Sequence, residues 1–287
     1  MRLSVRTARR VLFGAVLGFA GARLAASWIA ERELLVTKPM GPETPADCGL
    51  AFERFVVTSG TRKLQAWFVL PPADRVTRAA VLIFHGTHES IAQWVPAQQY
   101  LAENGIASMV FDYSGYGDST GAPTVANLRQ DVQAAYRAFS LRTGPESSRF
   151  LLGYSLGTGC LLEGVPAFGD SFDGVALIAA FTSARAASVA RGVLPRWLSF
   201  ALPDLYNNVR AMRHLHRPLL VVHSAGDERL MGWMAVRVFH AANEPKRLVM
   251  LEGLQHNGMV HGHAAEYLAP VVEFVRETAT RHTPSSR

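Results

Sequence analysis

From residue 80 onward the chain alternates short, continuously apolar runs with longer stretches whose apolar positions recur every three or four residues. The runs at 80–84, 107–112, 150–152, 174–179, 219–223 and 247–251 predict strands, and the stretches at 91–104, 125–142, 156–166 and 231–242 predict helices. In the second of these helices Val125, Leu128, Val132, Ala135, Tyr136 and Phe139 fall on one face, and Thr124, after Pro123, stands where an N-cap is expected. Strands that are apolar throughout and joined by amphipathic helices predict an α/β fold with a mostly parallel sheet covered on both faces. Upstream, 52–58 and 64–70 flank Ser59-Gly60-Thr61 and predict an antiparallel hairpin ended by Pro71-Pro72. A last helix runs toward Glu277, with Pro270 expected near its first turn or at a kink.

Two stretches break the alternation. Residues 181–216 hold an apolar but proline-interrupted segment, 194–203, placed where an insertion becomes a short lid over the strand ends and its apolar side chains meet an acyl chain; packing as an ordinary core helix is the alternative. At the N-terminus Arg2, Arg6, Arg9 and Arg10 precede an apolar run at 11–30 broken by Arg23 and Ser27. Twenty residues of helix span about 30 Å, the thickness of a bilayer core. The flanking charges predict a signal anchor over 1–33 with its N-terminus left in the cytoplasm and Trp28 at the interface; a signal peptide cleaved near Ala22–Ala26 is the alternative, giving a secreted protein. The expected organisation is therefore an anchor at 1–33, a proline-rich linker at 34–48, one catalytic domain at 49–280 with its lid at 181–216, and a disordered tail at 281–287.

Composition narrows the class of partner. The chain of 287 residues is 49% hydrophobic and 18% charged, enough to bury a large core and unlike a disordered chain. Its net charge of +6 is uneven: residues 1–33 hold six arginines and two glutamates, a local +4, and the rest carries only +2. No basic stripe interleaved with aromatics is present, so nucleic acid is not an expected partner. Cys48 and Cys160 are too few and too differently placed to predict a disulfide framework or a zinc site, and Cys160 reads as a small core residue. Nothing in the sequence sets the oligomeric state.

The chemistry centres on Gly153-Tyr154-Ser155-Leu156-Gly157, a G-x-S-x-G between a predicted strand and a predicted helix. The turn is tight enough that side chains two positions either side of the serine would collide with backbone, which accounts for the two glycines. A serine hydroxyl at neutral pH needs a base within hydrogen-bond reach, itself oriented by a carboxylate. Asp227 follows the strand at 219–223 and His256 follows the strand at 247–251, which places both at the same sheet edge as Ser155. Glu228 is a neighbouring rival for the acid, and His261 and His263 are rivals for the base. Two amide donors are needed for a tetrahedral oxyanion: Leu156, just after the nucleophile, and Thr87, in Phe84-His85-Gly86-Thr87 after the first parallel strand. His85 and His88 lack a third ligand at metal spacing, so neither a metal nor another cofactor is expected.

These motifs, with Asp112-Tyr113-Ser114-Gly115-Tyr116-Gly117-Asp118-Ser119, Gly226-Asp227-Glu228 and Gln255-His256-Asn257, resemble those of the α/β-hydrolase superfamily. The likeness extends over about residues 34–277 and is to its membrane-anchored, short-lidded esterase and lipase-like branch, which includes lysophospholipid lipases and protein depalmitoylases. It implies Ser155 as nucleophile, Asp227 as acid, His256 as base, Thr87 and Leu156 as oxyanion donors, and a small-molecule or lipid ester or thioester as substrate. Three positions depart from that branch: Ser114 where a basic residue is usual, Gln255 where a glycine is usual, and Arg229-Leu230-Met231 in place of a proline-containing turn. A peptidase of the same fold and a non-catalytic binding protein of the same fold are the alternatives.

Overall fold

A computed structural model describes residues 5–75, 77–193, 196–201 and 203–281. Eight strands, β1 (Phe52–Ser59), β2 (Arg62–Val69), β3 (Ala79–Phe84), β4 (Ala107–Phe111), β5 (Ser148–Tyr154), β6 (Gly174–Ile178), β7 (Leu219–Ser224) and β8 (Lys246–Leu251), form one sheet in the order β1-β2-β4-β3-β5-β6-β7-β8. The helices are α1 (Val5–Leu34), α2 (Val95–Glu103), α3 (Val125–Thr143), α4 (Leu156–Phe168), α5 (Ala184–Ala190), α6 (Asn208–Ala211), α7 (Gly232–Ala241) and α8 (Ala264–Arg281).

The expected hairpin is present: β1 and β2 pair antiparallel, and β2 pairs antiparallel with β4, whereas the six strands from β4 to β8 run parallel. Every residue of β3, β4, β6 and β7 is buried, as continuous apolar strands require when helices cover both faces. Edge strand β1 instead alternates exposed and covered positions from Arg54 to Ser59. Thr124 caps α3, its hydroxyl accepting from the Asn127 amide at 3.1 Å. The strand order doubles back at β3, whose chain continues to β4 on one side while β5 continues to β6 on the other. Their C-terminal loops diverge there and leave a crevice, the place where open α/β sheets bind ligands.

Several boundaries differ from the sequence reading. The helix expected at 91–104 is a 3-10 turn at Ile91–Trp94 followed by α2, whose first turn carries Pro96. Pro270 lies inside α8, beyond its first turn, and Pro166 lies inside α4 where the helix was expected to end. A buried stripe of Tyr267, Leu268, Val271, Val272 and Val275 holds α8 to the sheet on both sides of Pro270, so packing outweighs the missing amide. The segment expected as a lid contains α5, a 3-10 turn at Arg196–Ala201 and α6, while its Leu194, Pro195 and Leu202 lie outside the described residues. So do Arg2 and residues 282–287 of the expected tail. α1 exposes Phe13, Leu17, Leu24, Trp28 and Ile29, yet among the described residues no helix is long and apolar enough to cross a membrane. Arg23 interrupts its apolar run. Cys48 and Cys160 are both free thiols; Cys160 is buried, which pushes its thiol up to about 12.

Candidate active site

Ser155 joins β5 to α4 with φ 49° and ψ −117°, a backbone state that non-glycine residues rarely hold. A Cβ on Gly153 would stand 2.9 Å from the Gly157 carbonyl oxygen, and one on Gly157 would overlap the Phe84 carbonyl. The two glycines thus let β5, the turn and β3 approach this closely. The Ser155 amide donates to the Ile178 carbonyl at 3.0 Å, which ties the turn to the end of β6.

Asp227, after β7, and His256, after β8, arrive at the same edge. His256 Nε2 lies 3.1 Å from Ser155 Oγ, and His256 Nδ1 lies 2.7 Å from Asp227 Oδ2. All three side chains are buried. The other Asp227 oxygen accepts the Arg229 amide at 2.9 Å and the Leu230 amide at 2.8 Å. Burial acts to raise the Asp227 carboxyl, but the hydrogen bond and charge of His256 and the two amides outweigh it and hold the group below its ordinary value of 3.8. His223, buried in β7, places Nε2 2.8 Å from the Leu230 carbonyl and 3.9 Å from Asp227 Oδ2, so it braces the same turn. Burial lowers its imidazole below 6.5.

The rival residues have other tasks. Glu228 is exposed and its carboxylate accepts the His256 backbone amide at 2.9 Å, so it fixes the main chain rather than the ring. The Tyr154 hydroxyl donates to the His256 carbonyl, and the Tyr154 ring stacks on the imidazole at 5.7 Å between centroids. His263 pairs with Glu266 on the surface, and His261 is exposed. His256 is therefore held at its amide, its carbonyl and its ring.

The two expected amide donors follow adjacent strands. Phe84 pairs with Gly153 in the β3–β5 ladder, so the stretches leading to Thr87 and to Leu156 leave neighbouring strand ends. Within the β3 loop the Gly86 amide donates to Glu89 at 2.7 Å and the His88 amide donates to the Val36 carbonyl at 2.8 Å. Among the described residues the Thr87 and Leu156 amides donate to no protein acceptor, which leaves both available. The Thr87 hydroxyl donates to the Leu34 and Val36 carbonyls at 2.9 and 3.1 Å, so the end of α1 is latched to this loop.

Glu89 was missed in the sequence reading. It is 5% exposed, accepts both the Gly86 amide and the Trp94 indole N–H, and supports the loop from within. Burial raises its carboxyl above 4.5, against the lowering effect of His85 and these hydrogen bonds. A lone acid in a polar stretch carries no periodic signal that separates it from a solvated loop residue. Asp112, just after β4, is buried, accepts the Ile91 amide at 3.0 Å and lies 3.3 Å from His85 Nε2. Among the described residues no group of three or more His, Cys, Asp or Glu could hold a metal ion.

The departure at Ser114 also has a structural counterpart. Arg62, from the β hairpin, donates Nε to Ser114 Oγ at 2.8 Å and places Nη2 3.1 Å from Asp131 Oδ1, while the Ser114 amide donates to Asp131 Oδ2 at 2.8 Å. A guanidinium thus reaches the buried Asp131 from β2 instead of from position 114.

Residues 75–242 match a family model described as serine aminopeptidase, S33. The chain is 29% identical over 227 residues to the Escherichia coli protein YfhR, a match covering 77% of this chain and 78% of the relative. It is 29% identical over 177 residues to human alpha/beta hydrolase domain-containing protein 17B, covering 58% of this chain and 55% of that protein. The solved structure of the Pyrococcus furiosus esterase Pf2001 covers 85% of this chain and 99% of its own at 17% identity and a TM-score of 0.67, a likeness of fold.

Proposed function

The chain belongs to the serine aminopeptidase S33 family of α/β-hydrolases, and from that premise we propose that it is a serine hydrolase cleaving carboxylic esters or thioesters through an acyl-enzyme. The observation that carries this reading is the single line from Asp227 Oδ2 through both nitrogens of His256 to Ser155 Oγ, with spacings of 2.7 and 3.1 Å. With Nδ1–H donated to the carboxylate, Nε2 is left as the acceptor. It takes the Ser155 proton as Oγ attacks the carbonyl carbon. The carbonyl π electrons move to oxygen, and the oxyanion is met by the Thr87 amide after β3 and the Leu156 amide at the start of α4. Collapse expels the alcohol or thiol, which takes the proton from His256. Water then attacks the acyl-enzyme by the same route, releasing the acid and restoring Ser155. These steps need no cofactor.

The family description favours a second reading, peptidase action. An aminopeptidase must hold a substrate ammonium group, which calls for carboxylates near the nucleophile. The cleft of about 410 Å³ beside Thr87 and Asn257 is lined by Lys38, His88, Arg229 and His261, and its acidic residue, Glu89, is engaged with Gly86 and Trp94. That lining suits a polar or anionic leaving group better than a cation, and supports ester or thioester cleavage. Turnover of p-nitrophenyl esters, set against aminoacyl p-nitroanilides, tests the choice: faster amide turnover would reverse it.

The exposed apolar residues of α1, with the arginines that precede them in sequence, support attachment of the N-terminal segment to a membrane, with the hydrolase domain on the exported side. Carbonate washing of membranes tests that attachment, and full-length protein released into the soluble fraction would count against it.

A further inference from the structure

The cleft of about 410 Å³ beside Thr87 is walled by residues of three loops that build the site. Thr87 belongs to the loop of the expected oxyanion donor, Arg229 gives the amide that holds Asp227, and Asn257 directly follows His256. A further wall is the strap that leaves α1, residues 36–38. The Val36 carbonyl accepts the His88 amide at 2.8 Å and the Thr87 hydroxyl at 3.1 Å, and the Lys38 carbonyl accepts the Gly117 amide at 3.0 Å. The main chain is thus pinned on both sides of residue 37, and Lys38 is held at the cleft with its side chain exposed.

The charges of this lining are unbalanced. Among the described residues the Lys38 ammonium pairs with no carboxylate. Arg229 is matched only in part: its Nε lies 3.5 Å from Glu228 Oε1, and its side chain is still 42% exposed. The one acid in the lining, Glu89, is buried and turned to the Gly86 amide and the Trp94 indole. Two cations and the side-chain amide of Asn257 therefore face the space with no carboxylate free to meet them. Both cations also lie where this chain is its own: Lys38 precedes the residues that match the family model, and Arg229 stands in a stretch that departs from the resembling branch.

Which end of a substrate enters is set by the proton. In the proposed reaction the leaving oxygen or sulfur takes its proton from His256 Nε2, so it departs on the side of the base. Asn257, Val260 and His261, which follow the base in the chain, form a wall of this cleft. The leaving group is thereby directed along it. We infer that the cleft is the leaving-group subsite, and that Lys38 and Arg229 select substrates whose alcohol or thiol carries a carboxylate or a phosphate. This rests on the serine-hydrolase reading and names its substrate class, esters or thioesters of an anionic alcohol or thiol. Lys38 offers a point charge on a flexible stem and Arg229 a planar set of donors, and both suit either anion. Their role is to hold the departing group, so they set specificity and take no part in the bond changes.

The test uses the full chain and reads the ratio of kcat/KM for 4-acetoxybenzoate to that for its methyl ester, which keeps the scissile bond and acyl group but removes the charge. A second pair, 4-acetoxyphenyl phosphate and phenyl acetate, ranks phosphate against carboxylate. Lys38→Glu and Arg229→Glu should each lower the charged-to-neutral ratio by about tenfold, mainly through KM. Both should favour the cationic 4-acetoxyphenyltrimethylammonium instead. Salt at about 0.5 M should shrink the wild-type ratio several-fold. Arg137→Glu, on an exposed position of α3, makes the same change in net charge and should leave the ratio at its wild-type value. Thermal melting checks folding, and Lys38→Gln and Arg229→Gln serve where a reversal of charge fails to fold. An unchanged ratio in a folded variant of Lys38 or Arg229, or an equal fall in Arg137→Glu, overturns the assignment of the cleft while leaving ester hydrolysis standing. Turnover of none of these esters by the wild-type chain overturns the underlying hydrolase reading instead.

Discussion

Ser155 Oγ and His256 Nε2 stand 3.1 Å apart although 101 residues separate them in the chain. The approach is produced by the parallel register: β7 pairs with β8 from Leu219↔Lys246 through Ser224↔Leu251, and β5 joins β6 alongside them, so the loops after β5, β7 and β8 leave one edge together. The Tyr154 ring stacks on the His256 imidazole and holds its plane.

Asp227→Asn keeps the shape of the side chain but reverses the hydrogen bond with His256 Nδ1, leaving the proton on the nitrogen that must face Ser155. We expect kcat for ester hydrolysis to fall by about 10,000-fold with little change in folding, measured by steady-state kinetics and circular dichroism. Glu228→Gln, which removes charge but leaves an acceptor for the His256 amide, should cost far less. Equal losses in the two variants would contradict the assignment of Asp227 as the partner of the base.

Thr87 tests the latch between α1 and the β3 loop. Thr87→Val removes the hydroxyl that donates to the Leu34 and Val36 carbonyls without altering the Thr87 amide. A loosened donor should lower kcat by about 10-fold to 100-fold at nearly constant KM. Thr87→Ser keeps the hydroxyl and should restore most of the rate. Equal kinetics in the two variants would show that the latch has no bearing on turnover.

Asp131 is fully buried and Arg62 is 15% exposed, so the pair is close to a buried ion pair. Arg62→Ala leaves the carboxylate without its guanidinium and should destabilise the fold by about 3 kcal/mol in urea titration. Adding Ser114→Arg, which supplies a guanidinium from the position usual in the resembling branch, should recover part of that loss. No recovery would mean that position 114 does not reach Asp131 here.

Glu89 predicts a pH dependence of stability. Its folded carboxyl is raised above 4.5 by burial, so the native state binds a proton more readily than the unfolded chain. The stability this gives is full below about pH 4.5 and is lost as pH rises through the folded value. Asp227 has the opposite sign: lowered below 3.8, it stabilises above that pH and the effect is lost as pH falls through its folded value. Glu89→Gln retains an oxygen acceptor and cannot ionise, so its loss of melting temperature between pH 4.5 and about pH 7.5 should be smaller than that of wild type. An identical loss would contradict a buried, titrating Glu89.

What the sequence makes legible is the part of the molecule set by local pattern. Continuous apolar runs mark buried parallel strands, and Gly153 and Gly157 mark a turn that tolerates no side chain, which brings Ser155, Asp227 and His256 into view before any coordinates. Contacts between remote polar groups leave no such trace. The carbonyls of Leu34 and Val36, which hold the Thr87 loop, are common to any residue type. Asp131 is an acid whose buried charge is met by Arg62, 69 positions away, and Glu89 is enclosed by Gly86 and Trp94 in a loop whose inward course no periodicity marks. Pro270 within α8 shows packing of an apolar stripe prevailing over a local preference. The α1 run is apolar enough in sequence to predict a membrane span, yet among the described residues no helix meets that requirement.

The most direct test is labelling of the folded protein with a fluorophosphonate probe, followed by mass-spectrometric mapping of the modified peptide. A serine activated by His256 should carry the adduct at Ser155; Ser155→Ala should abolish it, and His256→Ala should slow it severely. Folded wild-type protein that remains unmodified at Ser155, or that reacts equally well without His256, would contradict nucleophilic catalysis by this serine.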